Sequence, residues 1–222
     1  MANPSNRSPF SRVPGARLVS SLDIPRRVAH VGLKAIGGWR FVTPLPTVDK
    51  YVTLGWPHTS NMDGLVMLLL ANAHGMEINW LIKDDWDVPI LGAVMKGWGA
   101  VYVRRSKSHG LVEQMVEEFE RRDHLALLVP PEGTRSRVDH WKSGFYHIAH
   151  GAKVPVIPAF MDYSRKQAGF GPPVEITGNA RADMDQLRAF YAKGDYKGRF
   201  PDEVGPIRLR DEADADDAGD QP

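Results

Sequence analysis

Apolar and polar positions follow two rhythms along this chain. Short runs dense in aliphatic, β-branched and aromatic residues recur at Tyr51–Gly55, Ile78–Lys83, Ala100–Arg104, Leu125–Val129, Val154–Phe160 and Val174–Thr177; their length and content predict strands. Helical spacing is clearest over 111–119. There Leu111, Val112, Met115, Val116 and Phe119 share one face, and Glu113, Glu117 and Glu118 lie mostly off it. Alternation of the two patterns predicts an α/β fold, a single domain with a largely parallel or mixed central sheet flanked by helices. In Val154-Pro155-Val156-Ile157-Pro158-Ala159 the prolines interrupt an apolar run, which predicts an edge strand or a pocket wall rather than a central strand.

Composition narrows the picture. Residues 1–16 are rich in Pro, Ser, Asn and Arg and residues 211–222 in Asp and Ala, so both ends are expected to be mobile tails around one domain at 17–210. Cysteine is absent, which excludes disulfides, thiolate-rich zinc sites and a cysteine nucleophile. Lys and Arg number 28 against 27 Asp and Glu, giving no global charge argument for nucleic acid. The charge is uneven, however: Arg7, Arg12, Arg17, Arg26, Arg27, Lys34 and Arg40 face a single acid, Asp23, in the first 40 residues. The longest apolar candidate for a bilayer span, Leu65 to Ala71, has seven residues, far short of the roughly 20 required. The early arginines are not followed by the apolar core of a secretory signal, so a cytoplasmic location is the expectation.

Polar clusters stand just beyond strand carboxyl ends, where sites collect in open α/β sheets. Gly55-Trp56-Pro57-His58-Thr59-Ser60-Asn61-Met62-Asp63-Gly64 leaves the first strand and enters an apolar helix. Ser60 as N-cap and Asp63 three residues later form a capping-box pattern, which explains the aspartate without any chemistry. The same placement lets a carboxylate stabilised by the helix N-terminus fold back onto His58, leaving the other imidazole nitrogen free to accept a proton. Metal binding fits less well, since helical ligand pairs favour spacings of three or four and no third ligand stands nearby. Gly97 to Arg105 is a glycine-flanked strand delivering Arg104 and Arg105, a pair suited to clamping an anion, phosphate above all. Leu125–Val129 runs into Pro130-Pro131-Glu132-Gly133-Thr134-Arg135-Ser136, whose density of polar groups after an apolar strand predicts a binding loop.

In this order the features resemble the phospholipid and glycerol acyltransferases that include the lysophosphatidic acid acyltransferases. His58 and Asp63 match the family's His-x4-Asp motif. Gly99, Tyr102 and Arg105 match Gly-x-x-Phe-x-x-Arg with Tyr for Phe, and Pro131 to Ser136 match Phe-Pro-Glu-Gly-Thr-Arg-Ser with Pro130 for Phe. Lys142, Gly144 and Phe145 resemble the segment that follows, and Val154, Pro155 and Pro158 match Val-Pro-x-x-Pro. The resemblance covers roughly residues 30 to 210. It implies that His58, oriented by Asp63, deprotonates an acceptor hydroxyl that attacks the thioester of acyl-CoA or acyl carrier protein. It also implies that Arg105, Glu132, Gly133, Thr134 and Arg135 bind the acceptor, 1-acylglycerol-3-phosphate or a related glycerolipid, with no metal and no cofactor beyond the acyl donor.

Other readings stay open. The same base activating water would make a thioesterase, and the acceptor could be a soluble alcohol. Many relatives carry hydrophobic amino-terminal helices, whereas residues 17–42 here hold a short basic segment with Val28, Val31, Leu33, Ile36 and Trp39. It suits either peripheral contact with an anionic membrane or a helix packed on the domain with a basic outer face. The oligomeric state is not legible.

Overall fold

The computed structural model describes residues 24–83, 99–103 and 110–210. Its elements, in chain order, are α1 (Arg26–Ala35), β1 (Arg40–Phe41), β2 (Lys50–Trp56), α2 (Met62–His74), β3 (Asn79–Lys83), β4 (Ala100–Val103), α3 (Leu111–Arg121), β5 (Leu125–Val129), α4 (Gly144–Ala152), β6 (Val156–Asp162), β7 (Gln167–Phe170) and α5 (Ala180–Gly194). The seven strands form one sheet in the order β1-β7-β6-β2-β5-β3-β4. Every neighbouring pair is parallel except β6 and β7. The predicted α/β domain with a mixed, mostly parallel sheet is therefore the observed one.

β2 lies between β5 and β6 and is apolar on both faces, as a strand with helices on either side must be. Val52, Leu54 and Trp56 point into the larger core with Met115 and Phe119 of α3, Phe145 and Ile148 of α4 and Leu187 and Tyr191 of α5. Tyr51 points the other way, joining Ala126, Ile157 and Phe170. On that side α1 packs on α2 through Ala29, Leu33, Val66, Leu69 and Leu70, with Trp39 closing the cluster. Each such side chain fully removed from water contributes about 1.5–3 kcal/mol. The Tyr191 hydroxyl, wholly buried beneath the sheet, reaches the carbonyl oxygens of Leu54 and Ala159 and so ties α5 to β2 and β6.

Two expectations are corrected. The proline-bearing β6 is a central strand rather than an edge, with Leu54 of β2 opposite Pro158, although its Ala159 and Phe160 do form part of a cavity wall. Pro158 is tolerated because its side of the strand faces the last rung of the β7 ladder: its carbonyl accepts from Gly171 N at 2.8 Å, and the missing N–H removes a bond only where β7 has already ended. Val174–Thr177 is not a strand. Val174 makes a single bridge to Val156, and Thr177 instead spends its N–H and hydroxyl on Asp183 in the first turn of α5. Strands β1 and β7 were not predicted. The close approach of β4 to β3 depends on Gly99, whose φ is +92° and where a Cβ would lie 2.1 Å from the Ile78 carbonyl oxygen.

Candidate active site

At the carboxyl end of β2 the chain turns through Pro57–Asn61 into α2. Asp63, in the first turn of that helix, is almost fully buried at 2 % exposure, and His58 is 26 % exposed. Asp63 Oδ2 lies 3.0 Å from His58 Nδ1 and accepts the Thr59 and Ser60 backbone N–H groups, each at 3.0 Å. Ser60 Oγ in turn accepts from Met62 N at 3.2 Å. The predicted capping box is only half made: Ser60 N donates back to Asp63, but the N-cap is Asn61 and its side chain makes no capping bond; the same carboxylate oxygen also meets the imidazole. Two N–H donors and the helix N-terminus surround the carboxylate, and an acceptor oxygen at Nδ1 favours the imidazole tautomer with its proton there, with Nε2 free to accept one.

The loop after β5 contributes from two sides. Glu132 faces inward, 1 % exposed, and its Oε2 accepts the His58 backbone N–H at 3.1 Å. Burial pushes its carboxyl up to about 7, against the hydrogen bond and charge of His58 and the nearby Trp56 indole. The Trp56 N–H stays outside hydrogen-bonding geometry, so Oε1 has no hydrogen-bond partner. Gly133, Thr134 and Arg135 are exposed, and Arg135 donates to the Asn61 side chain across the mouth of the site. Gly133, at φ +65°, lies against the side chain of Lys142. The loop therefore divides: Glu132 holds the backbone of His58, while Arg135 and Lys142 remain exposed cations on the outer surface. Arg105 lies outside the described residues.

Three contacts have no counterpart in the motif pattern. The Tyr163 hydroxyl, just past β6, donates to Asp63 Oδ1. Phe200 N donates to Thr59 Oγ1 at 3.1 Å, and Arg199 Nη1 lies 3.4 Å from Ser60 Oγ. The segment after α5 thus lies over the His58 loop. Sequence separations of 100 to 141 residues hid these partners, although an aromatic-basic pair such as Arg199-Phe200 next to Gly198 was a weak signal.

A narrow apolar cavity of about 100 Å³ begins at His58 and Asp63 and runs between α2 and the sheet. Gly64 and Met67 of α2, Thr53 and Gly55 of β2, Leu128, and Met161 line it, and Phe41, Met76 and Phe170 stand farther in. Among the described residues, its ionisable lining consists of His58 and Asp63. Among the described residues no group of three or more His, Cys, Asp or Glu side chains is placed to hold a metal ion.

A carboxylate-held histidine thus stands at a strand end, with an apolar cavity on one side and exposed cations on the other. The profile of the Acyltransferase family matches residues 45–162, just over half of the chain, and the chain belongs to that family. It is 27 % identical over 100 residues to the 1-acyl-sn-glycerol-3-phosphate acyltransferase of Escherichia coli (strain K12), a match covering 38 % of this chain and 40 % of that protein. The enzyme of the same name from Saccharomyces cerevisiae is 33 % identical over 78 residues, covering 32 % of this chain and 26 % of the yeast protein. The matches therefore span less than half the length of these relatives. Among solved structures, the 1-acyl-sn-glycerophosphate (LPA) acyltransferase PlsC from Thermotoga maritima aligns over 79 % of this chain and 83 % of its own, with 15 % identity and a TM-score of 0.48.

Proposed function

We propose that this protein moves a fatty acyl group from acyl-CoA or acyl carrier protein to the free hydroxyl of a glycerolipid acceptor, 1-acylglycerol-3-phosphate or a close relative. The observation carrying the proposal is the 3.0 Å contact between His58 Nδ1 and Asp63 Oδ2 at the mouth of an apolar cavity. The acceptor hydroxyl gives its proton to His58 Nε2 as its oxygen attacks the thioester carbonyl. When the tetrahedral intermediate collapses the C–S bond breaks, and the imidazolium returns the proton to the departing thiolate. No acyl-enzyme is formed. General-base assistance of this kind supplies about 10²–10⁴ in rate, and fixed positioning of the two substrates supplies much of the remainder.

The acyl chain lies in the apolar cavity and the acceptor phosphate is met by Arg135 and Lys142; Arg105, outside the described residues, is given the same role by its place in the motif alone. The relatives' names, which specify a 1-acylglycerol-3-phosphate acceptor, support that assignment. Helix α1 supplies a membrane-facing surface. Val28 and Val31 are 56 % and 66 % exposed, with Arg27 and Lys34 alongside on the outer face, a pattern suited to lying on anionic lipid. No helix among the described residues is long and apolar enough to cross a membrane.

Incubation with labelled acyl-CoA and a panel of hydroxyl acceptors, with products resolved by mass spectrometry, tests the proposal. Acylated product that depends on a lysophospholipid phosphate is expected. Release of free CoA at the same rate with and without acceptor would make the protein a thioesterase and overturn it.

A further inference from the structure

A buried carboxylate has two oxygens to satisfy, and in Asp63 they have separate duties. Oδ2 carries His58 and the two loop N–H groups. Oδ1 accepts from the Tyr163 hydroxyl, and at 2 % exposure it has little access to water as a replacement. Tyr163 is itself held in place. Its ring meets Trp39 edge-on at 4.8 Å, the Lys166 ammonium lies 5.0 Å from the centre of its ring, and its backbone N–H donates to Lys197 O at 2.9 Å. Burial first, then the hydrogen bond to Asp63 and the Asp63 charge, push the phenol well above its usual range, so the hydroxyl stays a donor wherever Asp63 is ionised.

We propose that Tyr163 is a positioning residue for acyl transfer: its hydroxyl fixes the rotation of the Asp63 carboxylate so that Oδ2 stays aimed at His58 Nδ1. This deepens the reading of His58 as base and rests on it. A carboxylate free to turn about its Cβ–Cγ bond shares Oδ2 unevenly among three donors and lets the imidazole swing. The fourth hydrogen bond removes that freedom. Tyr163 touches no reacting atom and acts through Asp63.

The test is Tyr163→Phe, which keeps the ring and its contacts with Trp39 and Lys166 and removes only the hydroxyl. With an acyl-CoA and a 1-acylglycerol-3-phosphate as substrates, kcat is expected to fall about 10-fold, the effect of one hydrogen bond to a charged group, while both KM values stay within about 2-fold. The low-field His58 Nδ1–H proton resonance should move or broaden. Placed on Asp63→Asn, the same change should cost nothing further. Full kcat in Tyr163→Phe, or an equal additional loss in the Asp63→Asn background, overturns the proposal. Should Tyr163→Phe not fold, a fluorotyrosine at 163 keeps the bond and strengthens the donor; an unmoved Nδ1–H resonance there overturns it too. His58→Ala separates the two levels: activity retained in that variant defeats the base assignment itself, whereas its loss alongside a fully active Tyr163→Phe defeats only the positioning role.

Discussion

The backbone N–H of His58 ends on the carboxylate of Glu132, 3.1 Å away and 74 residues later in the chain. This buried carboxyl is raised to about 7, chiefly by burial, so the folded protein binds its proton more tightly than the unfolded chain, where the usual value is 4.5. Its contribution to stability is complete below about pH 4.5 and is lost as pH rises through about 7. The shift corresponds to roughly 3 kcal/mol. Glu132→Gln removes the titration, so its stability relative to the wild type should climb between pH 5 and pH 8, as measured by urea unfolding at the two values. A constant difference would show that the carboxyl does not titrate in that window.

Replacing His58 with Ala should lower kcat by about 10²–10⁴ while shifting the melting temperature little, because the side chain is partly exposed and Asp63 keeps its two backbone donors. Asp63→Ala is expected to do more. It removes the same catalytic support and also the bonds that start α2, a loss of about 0.5–2 kcal/mol of stability. Thermal unfolding beside steady-state kinetics distinguishes the two.

Gly64 lines the cavity next to Asp63, and a Cβ there would meet no atom within 4 Å. Gly64→Ala should therefore stabilise the fold by about 0.5–1 kcal/mol, since a helical glycine carries that entropic cost. Gly64→Leu, reaching farther into the same space, should shift donor preference towards short acyl chains. The readout is kcat/KM across a series of acyl-CoA lengths.

Changing Val28 and Val31 together to Ser should weaken co-flotation with anionic liposomes without altering turnover of detergent-dispersed substrate. Both side chains point outward, away from the Ala29 and Leu33 contacts that hold α1. Unchanged flotation would remove α1 as the membrane-facing surface.

What the sequence made legible follows from how locally each feature is specified. Strands β2, β3, β4 and β5 and helix α3 are written in runs of apolar side chains, and each run forms the element it predicts. Strand β7, Gln167–Phe170, carries too few apolar residues to announce itself and is held by pairing to β6, with Phe170 N also donating to Thr43 Oγ1. Pro158 misled because the rule against proline in a central strand concerns a donor facing a partner, and here the partner strand stops. At the site, His58 and Asp63 were legible by spacing and company. The inward turn of Glu132 was not, because a polar loop residue reads as surface until the chain it supports is known. Tyr163 and Phe200 were invisible for the same reason: each is an ordinary residue locally and meets the site only through a partner at least 100 residues away.

The segment that aligns with the family ends at Asp162, yet the His58 loop is braced from Tyr163 and from the stretch at Gly198–Phe200. A fragment cut at the boundaries of homology would hold His58, Asp63 and the Glu132 loop and lack the outer brace that keeps them in register. In the order of synthesis His58 and Asp63 are translated long before Tyr163 and residues 198–200, so their loop meets these partners only after most of the chain has been made.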